Sequence, residues 1–171
     1  MSNKPNPTPK PEDKALEVIQ SFESGDLINP GMEIIPGIEQ LTTPIIKFEK
    51  DNQVLMGLYL GAKECVSSMP GPSDYFYFHT VRMPNGLDVG FCGSKALDDA
   101  LRKKRPGRFV IYIKYVKEKK VAKGNFKEFQ IMGVDMENKD NPLYKIPNHP
   151  MVKIFNDYKD NITPDQGGEV F

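Results

Sequence analysis

Residues 87–116 have the sequence LDVGFCGSKALDDALRKKRPGRFVIYIKYV, which contains two strand patterns with a helix pattern between them. Apolar residues alternate with other residues at both ends of it, and a period of two is typical of β-strands. Between the two ends, Ser94 can cap a helix and the Pro106-Gly107 pair stops it. The apolar stripe of this helix consists of Ala96, Leu97, Ala100 and Leu101. The stretch therefore predicts a strand, a short helix and another strand.

Two more strand patterns precede this unit. Residues 53–68 alternate over a long run that includes Gly61, and a glycine inside a strand pattern often marks a bulge or a bend. Residues 75–82 alternate as well. The Asn85-Gly86 pair that follows them favours a tight hairpin into the next strand. These segments predict an antiparallel arrangement of the first three strands.

The order of the elements predicts the fold class. A fifth strand is expected at residues 125–134, after a basic hairpin loop at residues 117–124. A long first strand with glycines and a helix between strands three and four are the layout of the OB-fold. We therefore expect a mainly β protein with a five-stranded OB-fold barrel (β-β-β-α-β-β), because closure removes exposed strand edges. An SH3-like barrel and an α+β roll are the competing folds, and both lack a helix at this place.

The chain divides into four predicted regions. Prolines at positions 5, 7, 9 and 11 predict an extended arm, and an amphipathic helix is expected at residues 12–24. A short strand is expected near residues 45–48 and a short helix near residues 151–158. The regions are a Pro-rich arm, short helix and connector at 1–51, the OB-fold domain at 52–136, a polar C-terminal extension at 137–160 and a flexible acidic tail at 161–171.

The composition argues against several classes of protein. The chain has 171 residues, of which 39% are hydrophobic, and this suits one domain with a modest core. No apolar run approaches the roughly 18 residues that cross a bilayer, and the first 14 residues lack the apolar region of a signal peptide. Cys65 and Cys92 form neither a disulfide framework nor a zinc ligand set. We expect a protein of a reducing cytoplasm, with no membrane span, metal or cofactor.

Catalytic motifs are not recognisable in the sequence. His79 lies in a strand pattern and His149 in a Pro-flanked segment, and neither is spaced from a nucleophile as in a known triad. The Asp98-Asp99 pair could bind a divalent ion, but solvated carboxylates on a helix are the more common case. The expectation is a protein that is not an enzyme.

The charges are unevenly distributed along the chain. The totals are equal, 23 basic and 23 acidic residues, yet residues 52–134 hold 14 basic and 7 acidic ones. Between Arg102 and Lys127 there are eleven basic residues and one acidic residue, Glu118. Such a basic centre between acidic flanks is typical of a surface that binds a polyanion. A solvated, lysine-rich hairpin is the alternative interpretation.

Aromatic residues accompany these basic ones, and the two together suit single-stranded nucleic acid. Lysine and arginine neutralise phosphates, and aromatic rings offer faces on which unpaired bases stack. In the second predicted strand we expect Phe76 and Phe78 to face the core and Tyr75 and Tyr77 to face outward. The predicted nucleic-acid-binding residues are Tyr59, Lys63, Tyr75, Tyr77, Arg82, Arg102, Arg105, Arg108, Tyr112, Lys114, Lys117, Lys119, Lys120 and Lys123. The alternative for each tyrosine is a buried ring with a hydrogen-bonded hydroxyl.

The middle of the chain also resembles a known family. Residues 90–98 (GFCGSKALD), the basic helix end, Gly107 and residues 110–115 (VIYIKY) resemble bacteriophage single-stranded DNA-binding proteins. The resemblance covers residues 53–134 at most, and Cys92 stands where an apolar or aromatic residue is more usual. It implies an OB barrel and a non-catalytic protein that coats and protects single-stranded DNA in phage replication or recombination, in the cytoplasm of a bacterial host cell.

The end of the chain is similar to the tails of such proteins. They commonly end in an acidic segment that closes on phenylalanine, and this implies a partner-binding tail here. Its predicted residues are Asp165, Glu169, Val170 and Phe171. The implied partners are single-stranded DNA and, through the tail, replication or recombination proteins, with self-association as a further expectation. The alternative function is a phage structural or interaction protein that uses the barrel as a protein-docking module.

Overall fold

The structure is a computed structural model that describes residues 11–28, 37, 39–66, 75–122 and 124–161, without the side chains of 11–13. The start of the predicted arm, residues 1–10, lies outside these ranges. Lys123 and residues 162–171, which hold the predicted partner-binding residues Asp165, Glu169, Val170 and Phe171, lie outside them as well. The expected roles of these residues stay predictions.

The described residues form six strands, three α-helices and one 3-10 helix. The elements are α1 (Pro11–Glu23), β1 (Asp26–Leu27), β2 (Gln53–Val66), β3 (Tyr75–Arg82), β4 (Asp88–Cys92), α2 (Lys95–Leu101), β5 (Phe109–Val121), β6 (Gly124–Asp135), the 3-10 helix Pro142–Lys145 and α3 (Pro150–Asn161). Each of the five predicted strands overlaps one observed strand, β2 to β6. The helices predicted near residues 12–24, 94–104 and 151–158 are present, the second of them shorter, as α2.

The strands form one mainly antiparallel sheet in the order β4-β3-β2-β5-β6. The two-residue β1 pairs in parallel with the start of β2, and the expected strand near 45–48 is a single parallel bridge between Ile45 and Gly90. Within the described residues the sheet is open, since β4 and β6 are its edges and do not pair with each other. The mainly β class is confirmed, and the described ladder lacks the last pairing that would close a barrel.

The predicted basic loop at residues 117–124 is instead part of a two-stranded ribbon. β5 continues to Val121 and β6 begins at Gly124, so the two strands pair up to a tight turn. The register places Lys117 opposite Glu128 and Glu118 opposite Lys127, and opposite charges across a pair stabilise it. The loop prediction was wrong, because a run of charged residues can also form an exposed two-stranded ribbon in which opposite charges face each other.

The central strand β2 is buried on both faces. Val54, Met56 and Leu58 belong to an outer core, which α1 and α3 cover. Leu55 and Tyr59 belong to an inner core with residues of β3, β4 and β5, and α2 lies against it through Leu97 and Leu101. At the end of this region the pairing with β3 is shifted between Tyr59 and Gly61, and Gly61 has a positive φ of 118°. The predicted glycine bend is therefore present.

One polar cluster connects α1, β5 and α3. Glu23 Oε1 accepts a hydrogen bond of 2.9 Å from the Tyr112 hydroxyl and lies 2.6 Å from His149 Nε2. The backbone N–H of Met151 donates to His149 Nδ1, so Nε2 is the nitrogen that donates to Glu23. Burial by itself raises the pKa of Glu23, but the hydrogen bonds from His149 and Tyr112 outweigh it and hold this pKa below its usual 4.5.

We expect Glu23→Ala to lower the free energy of unfolding by about 1–3 kcal/mol at pH 7, because it leaves two buried donors without their acceptor. The folded-state pKa of Glu23 is lowered, so its stabilising effect is present above its unfolded pKa and is lost as the pH falls through the folded value. Urea unfolding at pH 7 and in steps below pH 4.5 measures both effects. Glu17→Ala, on the exposed side of α1, is the control, and an equal loss in both variants would contradict this role.

Candidate nucleic-acid interface

Two of the predicted stacking tyrosines are inside the protein. Tyr59 and Tyr112 are both 0% exposed, Tyr59 in the inner core and Tyr112 in the outer core. Burial raises the pKa of both hydroxyls far above the usual value. Neither ring offers a face to a base, so the assignment of these two residues was wrong. The cause is that helices and neighbouring strands cover both faces of β2 and β5.

Tyr75 and Tyr77 lie on the opposite face of β3 from the one predicted to be outward. His79 and Val81 point into the inner core, so alternation places Tyr75 and Tyr77 on the same face, beyond the edge of that core. Tyr75 is 57% exposed, and the guanidinium of Arg102 lies 4.6 Å from the centre of the Tyr77 ring. These two rings therefore remain candidates at the end of the β2–β3 hairpin.

Phe76 and Phe78 lie on the outer face of β3, where the sequence pattern placed the tyrosines. Phe78 is opposite Lys63 on β2 and Cys92 on β4. A side chain on Gly90 would overlap the Phe78 ring, so the ring covers this glycine. The predicted core position of the two phenylalanines was wrong because it depended on their lack of a polar group rather than on the face of the strand.

A buried polar network holds α2 against the sheet. The Tyr59 hydroxyl is 2.9 Å from His79 Nδ1, and Asp98 Oδ1 is 2.7 Å from His79 Nε2. His79 is 0% exposed and stacks on Phe91, with ring centres 5.1 Å apart and planes at 15°. The network joins β2, β3 and α2, so it has a structural role at the wall of the inner core.

Three of the predicted phosphate-binding arginines form ion pairs with carboxylates. Arg82 binds Asp88 with two hydrogen bonds of 2.8 and 3.2 Å. Arg108 binds Asp135 through bonds of 2.9 and 2.8 Å, and these bonds lower the pKa of Asp135. Arg105 is more loosely paired, since its Nη1 lies 3.7 Å from Glu137. The charges of Arg82 and Arg108 are therefore neutralised by carboxylates within the fold.

The predicted lysines lie in two separate places. Lys63 is exposed on β2 opposite Phe78, on the other face of the sheet from Tyr75 and Tyr77, whereas Lys117, Lys119 and Lys120 lie on the ribbon and Lys114 is half-buried at its base. β2 pairs with β5 at Val54 and with the start of β3 at Val66, and these two positions are twelve residues apart, about 40 Å along the strand. Lys119 also contacts Glu128 at 3.2 Å. The hairpin end and the ribbon are thus at opposite ends of β2.

A groove lies between the two sheet edges, and the sequence analysis did not identify it. Its volume is about 810 Å³, and residues 45–49, the end of β4, the start of α2 and β6 line it. Phe126 and Ile45 are 45% and 59% exposed there, beside the more deeply buried Phe91. The lysines at the groove are Lys47, Lys95 and Lys127, and the acids are Glu49 and Asp99. The groove is therefore apolar at its floor and basic on balance at its rim.

The groove reaches toward both groups of predicted residues. Gly93 lines the groove, and its backbone N–H donates a hydrogen bond of 2.8 Å to the carbonyl of Tyr77. The ring of Tyr77 is the one that Arg102 contacts. Lys127 lines the other side and donates to the Phe48 carbonyl at 2.7 Å. Phe126 lies opposite Lys119 on the ribbon. The alternation of residues 124–129 could have indicated that Phe126 is exposed. The packing of residues 45–49 beside β6 could not have been predicted, because no local sequence pattern indicates it.

The described part of the chain shows neither a metal-binding cluster nor a membrane-spanning helix. Among these residues, no group of three or more histidine, cysteine, aspartate or glutamate side chains could hold a metal ion. No helix in the same ranges is long and apolar enough to cross a membrane. The two histidines serve the polar clusters described above.

Comparison with known proteins gives no relative from which a function could be transferred. No protein-family model matches the sequence, and no curated protein or solved structure is significantly similar to it. A function for this chain is therefore inferred from its own geometry.

We expect Tyr59→Phe to destabilise the protein without altering a nucleic-acid surface. Removal of the hydroxyl leaves His79 Nδ1 buried without its partner, which costs about 1–3 kcal/mol. Thermal unfolding measures this loss, and an oligonucleotide titration of the same variant measures binding. The control is Tyr77→Phe, which keeps the ring that lies against Arg102. Weaker oligonucleotide binding by a Tyr59→Phe protein that unfolds at the wild-type temperature would contradict the buried role.

Proposed function

We propose that the chain is a single-stranded DNA-binding protein with an OB-type architecture. It would coat and protect DNA in bacteriophage replication or recombination, without catalysis, in the cytoplasm of the bacterial host. The arrangement of the strands supports the OB layout, in which the first strand lies between the second and the fourth. β2 has this position between β3 and β5, and α2 joins β4 to β5.

Residues 44–48 support a barrel-like enclosure in place of the missing strand pairing. The backbone N–H of Ile46 donates a hydrogen bond of 2.7 Å to the carbonyl of Gly90 in β4. The backbone N–H of Gly90 donates one of 2.8 Å to the carbonyl of Pro44. From the other side, Lys127 of β6 donates to Phe48. The segment therefore bridges the gap between the two sheet edges and forms one wall of the groove.

The exposed Phe126 ring beside the groove lysines is the observation that carries the proposal. Stacking of a base on an aromatic ring contributes about 1–3 kcal/mol and does not require a particular sequence. Lys95 and Lys127 at the same groove are placed to neutralise phosphates and release counterions. An apolar floor with a basic rim suits a strand whose bases turn inward and whose phosphates remain in solvent.

The proposed path of the strand uses part of the set that the sequence predicted. It begins at Tyr77 and Arg102, crosses the groove beside Lys95 and continues over Phe126 to the ribbon. The ribbon contributes Lys117, Lys119 and Lys120, and Lys123 remains a prediction there. Tyr59, Tyr112, Arg82 and Arg108 are not on this path.

Titration of the full chain with a fluorescent oligo-dT and with a duplex of the same length tests the proposal. Tighter binding to the single strand, with affinity that falls steeply as salt is raised, is expected. Equal affinity for both forms, or no binding to either at low salt, would overturn it.

We expect Phe126→Ala to weaken oligo-dT binding by about 5- to 150-fold, which corresponds to about 1–3 kcal/mol of lost stacking. The ring is 45% exposed, so its removal should leave the unfolding temperature nearly unchanged. Fluorescence anisotropy measures the affinity. Phe126→Tyr keeps a flat ring and should bind like the wild type. If the tyrosine variant binds as weakly as the alanine variant, Phe126 does not act by stacking.

We expect the double variant Lys117→Ala and Lys120→Ala to flatten the salt dependence of oligo-dT binding. Each lost phosphate contact reduces the slope of log K against log salt by about 0.7, so the pair reduces it by about 1.4. Titrations at four or more salt concentrations measure the slope. Lys14→Ala with Lys153→Ala removes the same charge from exposed helix positions and serves as the control. Equal slopes in the two double variants would exclude the ribbon from the interface.

The second candidate function is a protein-docking module, and the exposed apolar side chains favour it. Ile45 in the groove is 59% exposed, and Leu41 a few residues earlier is 85% exposed. Apolar surface of this kind is typical of protein interfaces. Light scattering of the nucleic-acid-free protein discriminates the two, because a stable large assembly would favour the docking module. The predicted self-association is open to the same measurement, and the predicted tail partners stay a prediction.

A further inference from the structure

A second cavity, of about 690 Å³, lies between α3 and the turns that flank β5 and β6. Residues 105–107, the segment after β6 and the last turns of α3 line it, and it shares no lining residue with the groove. Its volume is within the range of about 300–1,000 Å³ that is typical of small-molecule sites. The groove and this cavity are therefore separate, and each can be tested alone.

The charge of the described residues that line this cavity is positive. Arg105, Lys139 and Lys159 are its basic residues, and Glu137 is the one acidic residue among the described lining residues. Glu137 lies 3.3 Å from Arg108, which also binds Asp135 and is not one of the residues that line the cavity. The pair between Arg105 and Glu137 is long, at 3.7 Å, and the Arg105 side chain is 71% exposed. An exposed ion pair of this kind contributes little to the stability of the fold. Arg105 can therefore leave Glu137 and bind an anion with only a small loss of stability.

The walls of the cavity are aromatic and are held in place. Tyr144 donates from its hydroxyl to the Met136 carbonyl at 2.5 Å, which fixes the ring at the edge of the cavity with 36% of it exposed. Tyr158 packs against Gly107, where an added side chain would overlap the ring. Asn156 is exposed and adds an amide with donors and an acceptor. The start of α3 is fixed by the contact of His149 with Glu23, so the wall does not depend on a ligand for its position.

We propose that this cavity binds a phosphorylated nucleotide. The cationic side chains would hold the phosphate, Tyr144 would offer a ring face to the base, and Asn156 would donate to and accept from the base edge. The combination of cations with aromatic walls and an amide favours a nucleotide over inorganic phosphate alone. The nucleotide can come from a free monophosphate or from the 5′-phosphorylated end of a strand, since both present the same chemistry.

Calorimetric titration of the full chain tests the site with thymidine 5′-monophosphate, thymidine and inorganic phosphate as probes. We expect the monophosphate to bind and the other two to bind at least about tenfold more weakly, because each lacks one half of the contacts. The double variant Lys139→Ala and Lys159→Ala should weaken monophosphate binding by about tenfold or more. Lys153→Ala lies on the same helix outside the cavity and should bind as the wild type does.

The outcomes separate this proposal from the proposed function. Phe126→Ala, which alters the groove, should leave monophosphate binding unchanged. No monophosphate binding, equal binding of phosphate and monophosphate, or equal loss in Lys153→Ala would overturn the nucleotide site. Displacement of the monophosphate by a 5′-phosphorylated oligo-dT, but not by its 5′-hydroxyl form, assigns the site to strand ends, and failure of both to displace it assigns the site to free nucleotide.

Discussion

The burial of β2 on both faces is the constraint on which the rest of the structure depends. Its edges are occupied by β3 and β5, and its side chains enter the outer core in one direction and the inner core in the other. A strand with two buried faces needs cover on each side, because apolar side chains left in water would lose their contribution to folding. α1 and α3 supply the outer cover and α2 contributes to the inner one, so the helices are part of the fold rather than appendages to a barrel.

Two polar clusters keep these covering helices in position. Tyr59, His79 and Asp98 join α2 to the inner core, and Tyr112, Glu23 and His149 join α1 and α3 to the outer core. Both clusters use a tyrosine of a central strand and a buried histidine. Buried polar groups of this kind are costly unless they are satisfied, and each described one has its partners. Hydrogen bonds require particular distances and angles, whereas apolar packing is not directional. The clusters therefore restrict the position of each helix more than apolar packing alone would.

The basic residues that are contiguous in the sequence are dispersed in the fold. The eleven basic residues between Arg102 and Lys127 are one block in the sequence, but in the fold they extend from the segment between α2 and β5, along β5, to Lys127 on β6. Arg108 binds the Asp135 carboxylate near the start of β5, whereas Lys117 and Lys120 are exposed on the ribbon. The proposed interface therefore consists of the ribbon and the groove, where an exposed aromatic ring and lysines occur together, and the positive cavity beside α3 is a separate feature.

The sequence by itself determined the local elements: the strand period of β2 to β6, the helix capped by Ser94, the Asn85-Gly86 turn and the bend at Gly61. These elements depend on contacts between residues that are close in the sequence, so the order of the residues is enough to predict them. Only the tertiary structure decided which face of a strand is covered, which cations are paired and where the groove lies. Those features depend on contacts such as Glu23 with His149, 126 positions apart, and Ile45 with Gly90. Alternation divides a strand into two faces but does not say which face meets the core, because that depends on what packs against it.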